Sequence, residues 1–164
     1  CFTGSLLELA LGSDRIYMLE EDSVRLGLNH LNNGEFPMSN GLTRLKARLF
    51  GEPELLTQTL SSGPNFDAEE ALEAGLITEM YDDIDWEDEL RIFLEERASF
   101  SPDAMTGMEA NLRFAGPETM ETRIFGRLTA WQNWIFNRPN AVGDEGALQR
   151  YGSGKRGQYS MERV

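Results

Sequence analysis

The opening stretch, Cys1-Phe-Thr-Gly-Ser-Leu-Leu-Glu-Leu-Ala-Leu-Gly-Ser-Asp14, constrains this chain more than any other, because it sets a small-residue turn, an apolar helix and an acidic side chain side by side. Gly4 and Ser5 open a helix whose first backbone N–H groups have no partner inside the helix, so they are donors to negative charge. Glu8 follows Gly4 at the i, i+4 spacing, one turn along the same face. An oxyanion donor and an acid or base can then converge on one ligand atom. A glycine that merely starts a helix and a partly exposed glutamate satisfy the same pattern, so this stretch alone leaves both readings open.

The elements that follow predict an α/β layer. The apolar helix runs from Ser5 to Leu11 and ends at Gly12, and Arg15 to Leu19 reads as a buried strand. Glu20 to Ser23 is a polar turn before a second short strand at Val24 to Leu28. Asn29 to Asn40 is loop, carrying Asn32-Asn33-Gly34 and Pro37. Leu42, Leu45, Leu49 and Phe50 recur at helical spacing, and a further helical turn covers Pro53 to Leu60. The best-punctuated element is Asp67 to Ile77: Asp67 caps a helix, Glu70 completes a capping box, and Gly75 closes it before a strand from Leu76 to Tyr81.

Helices dominate beyond residue 81. Trp86 to Phe100 is amphipathic, with Leu90, Phe93, Leu94 and Ala98 expected on its inner side. Ser101-Pro102 starts another helix, lined by Met105, Met108, Leu112 and Phe114. Gly116-Pro117 starts a third, from Glu118 to Phe136, with the apolar stripe Ile124, Phe125, Leu128, Trp131, Trp134 and Ile135, expected as core or interface. From Asn137 the chain turns polar and glycine-rich and reads as an arm on the surface.

Composition removes several function classes. A chain of 164 residues with 40% hydrophobic content is long enough for one domain with a core. The formal charge of −13, with the basic residues scattered apart from Lys155-Arg156, argues against a nucleic-acid partner. One cysteine makes no internal disulfide, and neither a signal peptide nor a membrane-crossing apolar run is present, so the default expectation is the cytoplasm and no membrane. One histidine and one cysteine do not make the usual metal clusters, and no metal site is expected. The chain starts at Cys1 without an initiator Met and inside a tightly patterned segment, so it is expected to be a piece of something longer.

Several motifs together resemble those of the crotonase, or enoyl-CoA hydratase/isomerase, superfamily of acyl-CoA enzymes. Leu7-Glu8-Leu9-Ala10 with Asp14 resembles the Cys-Glu-Leu-Ala and Asp of the hydratases. Gly34-Glu-Phe-Pro37 with Thr43-Arg44-Leu45 resembles their Gly-x-x-Pro and Gln-Arg-Leu. Ala68, Ala71, Ala74, Gly75, Leu76 and Ile77 match the superfamily's helix and turn before the last sheet strand. The resemblance implies an α/β fold, the C-terminal part of a crotonase-like β-β-α spiral followed by a helical C-terminal region. It divides the chain into a partial core at 1–81, a helical region at 82–137 and a polar glycine-rich tail at 138–164.

The segments Asp83 to Glu89, Ser101 to Arg113, Gly116 to Gly126 and Trp131-Gln-Asn-Trp134 are similar to one branch of that superfamily, which ordinary hydratases do not share. That branch is a carbon–carbon lyase that opens the ring of epoxidised benzoyl-CoA, with water added and formate lost, in aerobic breakdown of aromatic acids. The resemblance implies that this chain is the C-terminal portion of such an enzyme, inactive alone because the first oxyanion donor lies before the segment corresponding to Cys1. An enoyl-CoA hydratase or isomerase acting on a simpler acyl chain is the alternative enzyme. A non-catalytic, truncated crotonase unit is the alternative from another class.

By position in the superfamily, the oxyanion donor falls at Gly4 or Ser5, and Glu8 matches the first catalytic glutamate, which positions or deprotonates water. The place of the second glutamate is held by His30, which either transfers protons near neutral pH or is a solvent-facing loop residue. Cys1 immediately precedes the site and either touches substrate or fills a small apolar space. Trp131, Trp134 and Phe136 either receive an aryl or adenine group or pack as helix core or interface. The partner implied is an acyl-CoA thioester; coenzyme A is part of the substrate, no separate cofactor is implied, and a homo-oligomer is expected.

Overall fold

The computed structural model describes residues 2–113, 116–160 and 162. Two compact units divide the chain, Cys1–Leu90 and Arg91–Val164.

In the first unit a short strand, β1 (Phe2–Thr3), leads through Gly4 into α1 (Ser5–Leu11). Next come β2 (Tyr17–Leu19), β3 (Leu26–Gly27) and a 3-10 turn over His30–Asn33. Helices α2 (Arg44–Arg48) and α3 (Pro53–Ser61) precede β4 (Asn65–Phe66), α4 (Ala68–Glu73) and β5 (Glu79–Tyr81). β3 lies between β1 and β4, parallel to β1 with Phe2 opposite Leu26 and Thr3 opposite Gly27, and antiparallel to β4. β2 and β5 form a separate parallel pair with Met18 opposite Met80. Parallel pairing requires long crossovers, and these carry the helices.

One apolar cluster joins these elements. Leu7 and Leu11 of α1, Met18, Leu26, Leu45 and Leu49, Phe66, and the alanines of α4 all contribute to it. Leu7 and Leu11 are one helical turn apart, so α1 turns one stripe inward and leaves Leu6 and Leu9 exposed. α4 sits close against the cluster because Ala68, Ala71 and Ala74 are all buried and all small.

The punctuation of α4 follows the sequence. The Asp67 carboxylate accepts the Glu70 N–H at 2.9 Å while the Glu70 carboxylate accepts the Asp67 N–H at 3.0 Å, a reciprocal cap. At the other end Gly75 has φ +67°, and a Cβ there would stand 2.8 Å from Leu49 Cδ2, so the turn and the packing both require glycine. Arg48 Nε donates to the Gly75 carbonyl at 2.6 Å, tying α2 to that turn, and burial pushes its guanidinium below the ordinary arginine value.

The strands are shorter than the sequence predicts. Leu76 and Ile77 donate their N–H groups back to the Ala71 carbonyl at 2.9 and 3.3 Å, finishing the helix, so the ladder begins only at Glu79. Arg15 and Ile16 likewise precede β2, and the Thr78 hydroxyl accepts the Ile16 N–H at 3.1 Å. Ile16, Leu76 and Ile77 are apolar because they fill the core, and side-chain burial leaves no sign of where backbone pairing starts. The expected loop at Asn29 to Asn40 contains the 3-10 turn, in which the Asn29 side chain accepts the Leu31 N–H at 2.9 Å.

The second unit is helical: α5 (Trp86–Ala98), which begins at the end of the first, α6 (Pro102–Arg113), a π-helical stretch Thr122–Leu128 continuing into α7 (Thr129–Ile135), then α8 (Pro139–Val142) and α9 (Ala147–Arg150). Trp131 and Trp134 meet edge to face with centroids 5.4 Å apart, and the Arg138 guanidinium stacks 4.9 Å over Trp134. Asn140 exchanges two hydrogen bonds with the backbone of Ser160, at 3.0 and 2.8 Å, so the segment read as a surface arm holds two short helices and is pinned near its end.

The predicted inner side of α5 is not a buried face: no residue of α5 is buried, and Leu94 is 63% exposed. In α6 and in the π-helical stretch before α7 the apolar stripes are also open, with Leu112 61% and Phe125 71% exposed. Helical periodicity gives each helix an apolar face without naming what covers it. Phe114, expected on the α6 stripe, lies outside the described residues. Among the described residues no helix is long and apolar enough to cross a membrane.

Leu76 is fully buried, so Leu76→Ala is expected to destabilise the first unit by about 2–5 kcal/mol. Asp67→Ala is expected to cost about 1 kcal/mol through loss of the cap. Urea denaturation of the two variants checks the order: an equal effect would show that the cap contributes as much as this core side chain.

Candidate active site

Two backbone segments end side by side because β1 and β3 are parallel and in register. Past the carboxyl end of β1 comes Gly4 and the start of α1; past the carboxyl end of β3 come Asn29 and the 3-10 turn. Ligand sites of α/β layers form where parallel strands end in this way. Gly4 turns the chain with φ +55° and ψ −122°, a conformation that suits glycine, and a Cβ there would lie 2.9 Å from Asn29 Nδ2. Its carbonyl accepts the Glu8 N–H at 3.1 Å, the first turn of α1. The N–H of Ser5, the first residue of that helix, has no helical carbonyl to donate to.

Glu8 is 7% exposed, although it is a carboxylate on a helix that otherwise buries leucine. Each of its oxygens has a donor. Oε1 accepts Asn32 Nδ2 at 2.9 Å, and Oε2 accepts the Arg44 guanidinium at 3.1 Å in an ion pair. Asn32, 1% exposed, also donates to the Gly4 carbonyl at 2.9 Å. Arg44 stands at the start of α2, where the Thr43 hydroxyl caps the helix by accepting the Lys46 N–H at 3.0 Å. A carboxylate oxygen has two lone pairs, so Glu8 keeps acceptor capacity for water or a ligand after these bonds are made.

A cleft of about 660 Å³ opens over this arrangement, lined by Ser5, Glu8, Leu9, Gly12, Glu35, Phe36, Pro37 and Arg44. Its size is within the range of small-molecule sites, and Leu9, Phe36 and Pro37 give it apolar walls beside the polar groups. Ser5 and Glu8, both singled out from the sequence, share this cleft. Gly4 is buried beneath it and shapes the turn. His30 is exposed at the start of the 3-10 turn and is not part of the cleft wall. Cys1 lies outside the described residues. Among the described residues no group of three or more His, Cys, Asp or Glu is arranged to hold a metal ion.

Asn32 and Arg44 were not singled out by sequence reasoning as site residues. Asn32 lies in an Asn-Asn-Gly run that signals only a turn, and Arg44 enters only within the Thr43-Arg44-Leu45 motif, which assigns it no role of its own. They lie 24 and 36 residues from Glu8, and only the tertiary fold brings them to it.

The fold is the crotonase fold. An enoyl-CoA hydratase from Bacillus anthracis superposes with a TM-score of 0.73 at 22% identity, covering 98% of this chain and 59% of its own. A Geobacillus kaustophilus protein described as enoyl-CoA hydratase subunit I superposes with a TM-score of 0.71 at 17% identity, covering 98% and 60%. In sequence the chain is similar to the benzoyl-CoA-dihydrodiol lyase of Aromatoleum evansii, at 54% identity over 100% of this chain and 30% of that protein. The chain thus spans under a third of that relative's length. No protein-family model matches it.

Removing Arg44 strands a buried carboxylate oxygen. Arg44→Leu is expected to destabilise the first unit by about 1–3 kcal/mol, and Glu8→Leu in the same background to recover part of that loss. A urea-denaturation double-mutant cycle checks this; simple additivity would mean the pair does not form in solution.

Proposed function

We propose that this chain carries one half of the active site of an acyl-CoA lyase that opens the ring of epoxidised benzoyl-CoA, adding water and releasing formate. The observation that carries the reading is that Ser5 and Glu8 open onto one apolar-walled cleft, in a chain 54% identical to a benzoyl-CoA-dihydrodiol lyase. A thioester carbonyl gains negative charge as electrons leave the acyl group, and the Ser5 N–H is one donor aimed at that charge. The other donor comes from a segment outside these residues. Glu8, held by Asn32 and Arg44, positions water and accepts its proton. His30, exposed on the 3-10 turn and outside the cleft wall, serves as a proton carrier.

On this reading 1–81 supplies the chemistry, while 82–137 and 138–164 distinguish the lyase from ordinary hydratases. Coenzyme A enters as part of the substrate, and the reading requires no metal or further cofactor. It takes the protein as a cytoplasmic homo-oligomer whose subunits meet through open apolar residues such as Phe125 and Leu128.

In the full-length protein, Glu8→Gln is expected to leave thioester binding near wild type and to lower formate release from epoxidised benzoyl-CoA. Hydration of crotonyl-CoA without formate release would replace the lyase by a hydratase, and unchanged turnover would remove Glu8 from the mechanism. His30→Ala is expected to alter the pH–rate profile of formate release. An unaltered profile would return His30 to the surface.

A further inference from the structure

We infer that Asn32 is a positioning residue that couples the two chemical groups of the cleft, aiming the Gly4–Ser5 peptide at the thioester oxygen and holding the Glu8 carboxylate beside it. The inference rests on the thioester reading above and adds a residue to it. One side-chain nitrogen makes both contacts: Asn32 Nδ2 donates to the Gly4 carbonyl and to Glu8 Oε1, each at 2.9 Å. A primary amide has two N–H groups, so both are used.

The bond to Gly4 matters because the Gly4 C=O and the Ser5 N–H belong to the same planar peptide and point in opposite directions. Fixing the carbonyl therefore aims the N–H. Gly4 needs such fixing: its φ of +55° and ψ of −122° are set by contacts, because glycine itself resists rotation least of all residues. A carbonyl that accepts two hydrogen bonds, from Asn32 and from the Glu8 N–H at 3.1 Å, also polarises its peptide and strengthens the opposite N–H as a donor.

Asn32 is itself held. Its Oδ1 accepts the Asn29 N–H at 3.2 Å, and its own N–H donates to the Asn29 carbonyl at 3.0 Å. This fixes which way the amide faces, since the reverse orientation would set its oxygen against both the Gly4 carbonyl and the Glu8 carboxylate. At 1% exposure no bulk water takes over its bonds. A residue of the strand-end turn thus sets the distance between an electrophilic donor and a carboxylate that share one helix.

The test uses the full-length protein with benzoyl-CoA carrying a 13C-labelled thioester carbonyl, read by isotope-edited infrared spectroscopy. Bound to wild type, the carbonyl stretch is expected to fall below that of the free thioester. In Asn32→Ala it is expected to return most of the way, with kcat down about tenfold to a hundredfold and KM changed by less than about threefold, a smaller loss than the 10²–10³ of deleting a donor outright. A wild-type stretch equal to that of the free thioester overturns the thioester reading and this inference with it. A shift present in wild type and retained in Asn32→Ala overturns this inference alone. Should Asn32→Ala fail to fold, NMR of the wild-type side-chain amide decides: slow exchange of both Nδ2 hydrogens supports the coupling, and fast exchange of either overturns it.

Discussion

A carboxylate taken out of water must be given donors, and in this protein the burial of Glu8 organises everything around the cleft. One oxygen requires an amide and the other a cation, and these come from the 3-10 turn after β3 and from the first residue of α2. Three segments distant in sequence are therefore held to one point. The ion pair is about one-third open to water on the Arg44 side, so its value lies in orientation more than in stability. An aliphatic side chain at residue 8 would pack with less demand on its neighbours, and it would take from the cleft the one carboxylate that Asn32 and Arg44 hold in place.

Small residues make that convergence possible. Gly4 lets the chain turn from β1 into α1 with Asn29 close against it, and buried alanines let α4 press onto the same cluster that holds Leu7 and Leu45. On α1, Leu7 faces the apolar cluster one residue before Glu8 faces the polar groups. Sequence neighbours on one helix thus do different work, one setting the position of the helix and the other using it.

The helical unit follows a different rule. Its helices are amphipathic, but much of the apolar surface of α5, α6 and α7 stays open within the chain. Its internal order comes instead from ring contacts and ion pairs: Trp131 against Trp134, Arg138 over Trp134, and Glu118 with Arg127 at 3.2 Å.

Local punctuation was readable without a structure. The span of α1, the capping box of Asp67 and Glu70, and the glycine that ends α4 match what the residues predict, because caps and turns are decided within a few residues. The crotonase fold was legible for a related reason: its motifs are strings of such local signals in a fixed order. Strand limits were not, since Leu76 and Ile77 look like a strand but spend their N–H groups on Ala71. Nor was the partnership of Glu8. The sequence by itself determined that a glutamate would stand one turn into a glycine-opened apolar helix; only the tertiary structure decided that Asn32 and Arg44 would hold it and that His30 would stay outside the cleft wall. Caps are contacts between near neighbours, whereas a buried charge is satisfied by whatever the closed fold brings within hydrogen-bond reach.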